Sequence, residues 1–100
     1  MQYLWINYLV HEEDDPTEAY VELDENRLER RRIEIYDNGM AFACGGNFGY
    51  QEALAKEPYP ENLQTMNRLG ELEVTPIRAA DFDGMWYQLP DRPSGFDGMF

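Results

Sequence analysis

The sequence is poor in the residue types from which most small active sites are built. Among its 100 residues there is one cysteine, Cys44, and one histidine, His11. A single cysteine excludes an internal disulfide, and a zinc site of cysteines and histidines would lack ligands. A low cysteine content is also typical of proteins in a reducing compartment, so we expect a cytoplasmic protein.

Long apolar runs and a basic leader are missing as well. The N-terminal apolar run is short, alternates with polar residues, and lacks the charged start and the cleavage site of a signal peptide. No stretch reaches the roughly 18 apolar residues of a membrane-spanning helix. We therefore expect neither secretion nor a membrane location.

Positive charge is scarce. The chain has 20 acidic and 8 basic residues, which gives a net charge of −12. Such a protein repels the phosphates of DNA and RNA and the anionic surface of a membrane. The composition argues against direct nucleic-acid binding and favours a positively charged protein as the partner.

The residues that are present have the pattern of a small antiparallel sheet. Four segments look like strands: 3–10, 19–24 and 28–36, where side chains alternate between two faces, and the apolar run 40–44. The pair Asn38-Gly39 between the last two segments is a strong signal of a tight hairpin turn. Short connections indicate a meander, and apolar residues on both faces of the first strand place it inside the sheet.

The second half of the chain predicts one or two short helices. A first helix is expected to begin near Pro60 and to end at Gly70. Its apolar stripe would consist of Leu63, Met66 and Leu69. A second helix near 79–88 would place on the sheet the side chains of Phe82, Met85, Trp86 and Leu89. The predicted architecture is an α+β domain over residues 1–89, with a four-stranded antiparallel meander, one or two helices on one face, and an irregular tail over 90–100.

Three other segments are less regular. Residues 71–78 look extended, but Pro76 excludes a central strand. Residues 50–57 fit either an extension of the sheet or a short helical turn. The glycine-rich segment 45–49 lacks the helix start and the Lys-Ser/Thr pair of phosphate-binding loops, which favours a bulge or a wide turn.

The stretch 11–25 is the main functional signal. It contains eight carboxylates and no lysine or arginine. Three interpretations are open: a solvated loop, a docking surface for a basic partner, and a site for a hard cation. The spacing does not match an EF-hand, which argues against the third interpretation.

Half of the positive charge lies shortly after this stretch, within residues 27–32. The residues are Arg27, Arg30, Arg31 and Arg32. Arginines on a strand can pair with Glu18 or Glu22 on a neighbouring strand, each pair contributing roughly 0.2–1 kcal/mol. The alternative is that they bind a carboxylate or a phosphate of a partner.

Nothing in the sequence indicates catalysis. Cys44 lies in a predicted strand, where a lone cysteine usually packs as a small apolar residue. His11 stands beside carboxylates in a predicted loop and is expected to be a surface residue. We therefore expect no enzymatic activity, no cofactor and no metal.

Several motifs of the first half form a recognisable set. They are a strand with Trp5, an acidic loop ending at Pro16, the pattern Tyr-x-Glu-x-Asp over 20–24, and Glu-x-Arg-x-x-Glu-x-aromatic-x-(Asp/Asn)-Gly over 29–39. In this set the chain resembles a family of small acidic bacterial domains of unknown function. The resemblance spans about residues 1–88, and segment 45–49 and the tail depart from it.

Domains of this kind are similar to proteins encoded beside polymorphic and contact-dependent growth-inhibition toxins. The resemblance implies an immunity protein, a monomer that binds a cognate toxin domain, expected to be a basic nuclease, and blocks its active site. The candidate toxin-binding residues are Glu12, Glu13, Asp14, Asp15 and Glu18, with Trp5 and Tyr20 as aromatic anchors. The alternative is a non-catalytic regulatory module that docks on a basic protein.

Overall fold

The described part of the chain folds around one antiparallel sheet of five strands. The structure is a computed structural model that describes residues 1–67 and 70–89. The strands are β1 (Gln2–Tyr8), β2 (Glu18–Leu23), β3 (Glu29–Ile35), β4 (Ala41–Gly45) and β5 (Leu72–Ile77). Their order across the sheet is β4-β3-β2-β1-β5, and all neighbours are antiparallel. The first four strands form a meander, and β5 returns to the other side of β1.

The predicted α+β class, the meander and the central place of β1 are confirmed, but the number of four strands is wrong. The fifth strand is the segment that contains Pro76, which lies opposite Leu4 of β1. Proline is compatible with an edge strand when its missing N–H faces away from the neighbouring strand. Since β5 pairs with β1 alone, its proline leaves the sheet intact.

Each face of the sheet has its own cover. The connection between β4 and β5, with the short helix α1 (Gln64–Asn67), covers what we call the α1 face. The helix α2 (Ala79–Trp86) covers the opposite side, the α2 face. The prediction that the helices share one face is therefore wrong. Side chains alternate between faces along a strand, and β1 and β2 have apolar residues at both sets of positions.

The core consequently has two layers. On the α1 face the buried residues are Leu4, Ile6, Ala19, Val21, Leu23, Tyr59 and Val74. On the α2 face they are Ile33, Ala43, Phe82 and Trp86. Phe82 and Trp86 come from the predicted apolar stripe of the last helix, and their rings stack with centroids 5.8 Å apart.

Helix α1 begins later than predicted. It starts at Gln64 rather than near Pro60, and the Asn62 side chain accepts the Gln64 N–H at 3.0 Å. Asparagine is a strong helix-start residue, and here it decides the position of the first turn. The stripe residues Leu63 and Met66 pack on the α1 face. The predicted stripe residue Leu69 and the predicted tail over 90–100 lie outside the described residues.

The segment after β4 carries the chain around the edge of the sheet. It contains two single turns of 3-10 helix, at Gly46–Phe48 and Gln51–Ala53. Phe48 meets Trp86 edge-on on the α2 face, whereas the Tyr50 ring lies 5.2 Å from Phe42 on the α1 face. The wide turn expected at 45–49 is confirmed, and the open segment 50–57 contains a helical turn.

Glycine is required where this turn leaves β4. Gly45 has a φ of +85°, and a Cβ atom there would lie 2.2 Å from the carbonyl oxygen of Arg30. Glycine alone adopts such a conformation freely, and only the absence of a side chain allows this close backbone approach. The sharp departure of the chain from β4 depends on this position.

Candidate functional site

One end of the sheet contains acidic residues and, within residues 1–67 and 70–89, no lysine or arginine. The loop 9–17 joins β1 to β2, the turn 36–40 joins β3 to β4, and residues 71–73 lead into β5. Antiparallel pairing brings these three segments to the same end, which we call the acidic end. Its carboxylates are Glu12, Glu13, Asp14, Asp15, Asp37, Glu71 and Glu73.

The loop of the acidic end is anchored at its base and exposed at its tip. The Tyr8 N–H donates to the Thr17 carbonyl at 3.0 Å, and the Thr17 N–H donates to the Ile35 carbonyl at 2.8 Å. Within the tip, an Asp15 carboxylate oxygen accepts the Glu12 N–H at 3.1 Å. The four consecutive acids at 12–15 are all exposed. The structure thus presents them to solvent on a fixed base.

Exposed apolar residues accompany these carboxylates. Leu9 is 50% exposed, Val10 is 67% exposed, and Met40 in the neighbouring turn is 43% exposed. A shallow cleft of about 210 Å³ opens beside the loop. Its lining residues are Tyr8, Val10, His11, Asp15 and Pro16. Apolar side chains within a charged rim are typical of surfaces that bind another protein.

The remaining three candidate residues form a separate cluster at the start of β2. One carboxylate oxygen of Glu18 accepts the Trp5 indole N–H at 2.8 Å and lies 3.5 Å from the Tyr20 hydroxyl, which donates to it. Burial, followed by the nearby Glu18 charge, raises the pKa of Tyr20. Glu18 therefore holds two aromatic side chains in place on the α2 face, while the acids at 12–15 have no such partner among the described side chains.

Two of the three arginines of β3, Arg31 and Arg32, are occupied within the protein, whereas Arg30 is exposed. On the α2 face, Arg31 donates two hydrogen bonds to Glu22, at 2.8 and 2.7 Å, and one to Asp83 of α2 at 2.9 Å. Its guanidinium also stacks within 5 Å of the Phe82 and Trp86 rings. The hydrogen bonds from Arg31 hold the pKa of Glu22 below its ordinary value, although burial acts in the opposite direction.

Arg32 forms a second network on the α1 face. It bonds Glu29 at 2.8 Å, Glu34 at 3.1 Å and the Tyr8 hydroxyl at 2.7 Å. Glu29 also accepts the Tyr59 hydroxyl and the Ala55 N–H. Burial alone would lower the pKa of Arg32, but the surrounding anionic groups raise it above its ordinary value. The predicted pairing with Glu22 is confirmed for Arg31, whereas neither Arg31 nor Arg32 pairs with Glu18.

Positive charge is accordingly absent from the described surface near the loop. The lysines and arginines in the described ranges are Arg27, Arg30, Arg31, Arg32, Lys56 and Arg78. All of these belong to β3, to the β2–β3 turn, or to segments that follow β4 and β5. The acidic end therefore projects a field of one sign, which attracts positively charged molecules and repels nucleic acids.

The groups considered for catalysis have ordinary structural surroundings. Cys44 is fully buried, and burial, with Glu34 nearby, raises the pKa of its thiol to about 11. His11 is exposed in the loop, as predicted. Across residues 1–67 and 70–89, no three His, Cys, Asp or Glu side chains are grouped to hold a metal ion. No helix in these ranges has both the length and the apolar character needed to cross a bilayer.

Sequence reasoning identified the acidic loop but missed the rest of the acidic end. The additional residues are Leu9, Val10, Asp37, Met40, Glu71 and Glu73. The hairpin signal at Asn38-Gly39 could have located the turn 36–40, because two successive hairpins of a meander place alternate turns at the same end. The segment 71–73 could not have been placed without knowing that β5 pairs with β1.

Comparison with known proteins connects the chain to one family. A family model described as a domain of unknown function (DUF6881) matches residues 2–90. Searches among curated proteins and among solved structures found no match to the chain.

Proposed function

The chain belongs to the DUF6881 family of domains of unknown function, and we propose that it is an immunity protein that binds and neutralises a positively charged toxin domain. The toxin is expected to be a nuclease of a contact-dependent growth-inhibition or polymorphic toxin system. Binding takes place at the acidic end, and the protein itself catalyses no reaction.

The observation that supports the proposal is the separation of charge along the molecule. In the described part of the chain, the acidic end combines seven carboxylates and three exposed apolar side chains without a lysine or arginine. A nuclease binds phosphates through a basic surface, and an acidic surface of this kind competes for the same groups. The apolar residues supply the part of the binding energy that salt does not screen.

The two groups of candidate residues have different tasks in this proposal. The exposed acids at 12–15 steer the toxin and raise the association rate. Trp5 and Tyr20, held by Glu18, provide a rigid aromatic patch beside them. The choice of a toxin over another basic protein rests on the motifs of the first half of the sequence.

The test is charge reversal at the acidic end with a matched control. The acidic-end variant carries Glu12→Lys, Glu13→Lys and Asp14→Lys. The control variant carries Glu25→Lys, Glu52→Lys and Glu57→Lys, three exposed acids away from that end. Both variants change the net charge from −12 to −6, so a difference between them reports the place of the charge and not its total.

The measurements are capture of partners from the native host and protection of cells that express the captured toxin. We expect the wild-type protein and the control to capture one basic toxin fragment and to protect. The acidic-end variant should associate at least about tenfold more slowly and protect poorly. Equal protection by both variants would refute the proposed surface. Capture of a housekeeping enzyme by the wild-type protein would instead favour the regulatory module.

A further inference from the structure

The two edge strands, β5 and β4, differ in whether their outward-facing backbone groups remain open to a further strand. On β5, the Asn67 side-chain oxygen accepts the Val74 N–H at 2.9 Å. Two residues further along the strand, Pro76 has no N–H at all. Unsatisfied edge groups are a template for pairing with another chain, and proline or a covering side chain removes that template. The β5 edge is therefore closed at both of these positions.

On β4 only the last outward-facing position is closed. The Gly45 N–H faces away from β3 and donates to the Gly49 carbonyl at 2.6 Å, whereas the Met40 carbonyl faces β3 and accepts the Tyr36 N–H at 3.0 Å. Backbone groups alternate in direction along a strand, so those of Ala41 and Ala43 face outward with Gly45. Among the described residues, neither of these two N–H groups donates a hydrogen bond.

An apolar cleft lies beside this open stretch. Its volume is about 240 Å³. The lining residues are Tyr36, Asn38, Met40, Ala41 and Phe42. In strand addition, a bound peptide extends the sheet by one strand. Backbone hydrogen bonds to the open edge give affinity, and a cleft beside the edge selects the side chains of the peptide.

We propose that residues 40–43 are a strand-addition site for a short extended segment of the positively charged partner, whose apolar side chain enters the cleft at Met40 and Phe42. This inference rests on the proposed function and extends it, since it names how the partner is held. The turn 36–40 belongs both to this site and to the acidic end. The acidic loop lies about three strand spacings away, roughly 14 Å, within the footprint of one small protein.

Charge decides between the two kinds of chain that could occupy the edge. A second copy of this protein would also carry a net charge of −12 and would bring its own Asp37 turn towards the first. Like charges disfavour that pairing, while a segment rich in lysine or arginine gains from Asp37 and the acidic loop. The occupant is thus a basic segment with alternating apolar residues.

A labelled peptide tests the site without knowledge of the toxin. The probe is acetyl-Lys-Val-Lys-Val-Lys-Val-Lys-amide, and the control probe replaces each valine with proline, which keeps the charge and prevents strand formation. Fluorescence anisotropy with the full chain should show the valine peptide binding at least about tenfold more tightly. Equal affinity for the two peptides would show that only charge is sensed and would overturn strand addition.

Ala41→Pro removes one outward N–H and keeps the bonds to β3. This variant should bind the valine peptide at least about fivefold more weakly, and its affinity for the proline peptide should be unchanged. A second measurement needs no variant: amide exchange in the wild-type protein should slow at Ala41 and Ala43, and not at Val74, when the valine peptide is added. Unchanged exchange at both alanines would contradict the proposal even if the variant failed to fold.

Failure of this inference is distinguishable from failure of the proposed function. If Ala41→Pro protects cells fully while the acidic-end variant does not, the immunity function stands and strand addition is refuted. If Ala41→Pro weakens binding of the valine peptide while the acidic-end variant protects cells normally, strand addition stands and the proposed surface for the toxin is refuted.

Discussion

Two neighbouring arginines of β3 point to opposite faces of the sheet, and the networks they form differ in depth. On the α2 face, Arg31 connects Glu22 to Asp83, whose side chain is 41% exposed. On the α1 face, Arg32 connects to Glu29, whose side chain is fully buried. An ion pair at the surface is screened by solvent, whereas a buried one is costly to break.

This difference between the two arginine networks indicates how the segment that covers each face is attached to the sheet. Helix α2 is held mainly by the burial of Phe82 and Trp86 against the sheet, with the Arg31–Asp83 bond at its margin. The connection after β4 also buries apolar side chains, and the polar bonds from Glu29 to Ala55 and Tyr59 fix it in addition. We expect the α1 face to depend on its network more strongly than the α2 face does.

The largest expected effect is that of Glu29→Ala. Removing this carboxylate leaves Arg32 buried without its main counter-charge and frees Tyr59 and Ala55, so the free energy of unfolding should fall by about 3–5 kcal/mol. Urea denaturation followed by tryptophan fluorescence measures it. If Glu29→Ala lowered the free energy of unfolding only as much as Asp83→Asn does, the two faces would not differ in how strongly they depend on these networks.

Arg31→Met should have an intermediate effect. The methionine keeps much of the stacking on Phe82 and Trp86 but leaves Glu22 with Tyr3 as its hydrogen-bond donor among the described side chains. We expect a loss of about 2 kcal/mol in the same denaturation experiment. A loss larger than that of Glu29→Ala would reverse the proposed order of the networks.

Glu22 should also make the stability contributed by the α2 face sensitive to acid. Arg31 lowers the pKa of Glu22 from its ordinary value of 4.5, so the unfolded chain binds the proton more tightly than the folded protein does. This contribution to stability is complete above that value and is lost as the pH falls through the lower folded value. Denaturation at about pH 6 and about pH 3.5 should show a smaller loss in Arg31→Met than in the wild-type protein. Identical losses would contradict this assignment.

Asp83→Asn should have the smallest effect. The side chain is partly exposed, and its bond to Arg31 is one of three that this arginine makes. The expected loss is about 0.5 kcal/mol or less, and it should shrink further at high salt. A salt-independent loss above about 1 kcal/mol would show that this pair is effectively buried.

The local features of the fold were readable from the sequence. The alternation of residues located three strands of the meander, the Asn38-Gly39 pair located a turn and the strand after it, and the stripe with Phe82 and Trp86 located α2. These signals depend on neighbouring residues alone. The fifth strand was missed because Pro76 is excluded from a strand only when a neighbour lies on its N–H side, which sequence cannot show.

The candidate site was predicted in part for the same reason. The run of acids at 12–15 is contiguous, and its exposure follows from its charge. The remainder of the acidic end comes from segments far apart in the chain, and it exists because antiparallel pairing brings alternate connections together. The role of Glu18 in holding Trp5 and Tyr20 required the register of β1 against β2, in which Trp5 lies opposite Tyr20.

The sequence by itself determined the charge, the class of fold and the four strands of the meander, since composition and local pattern are properties of the chain alone. Only the tertiary structure decided which arginine is buried on which face and that seven acids share one end. It also decided that, among the described residues, β4 has an open edge while β5 is closed at Val74 and Pro76. The physical reason is that burial and hydrogen bonding are set by neighbours in space. A one-residue change of register would move every side chain of a strand to the other face.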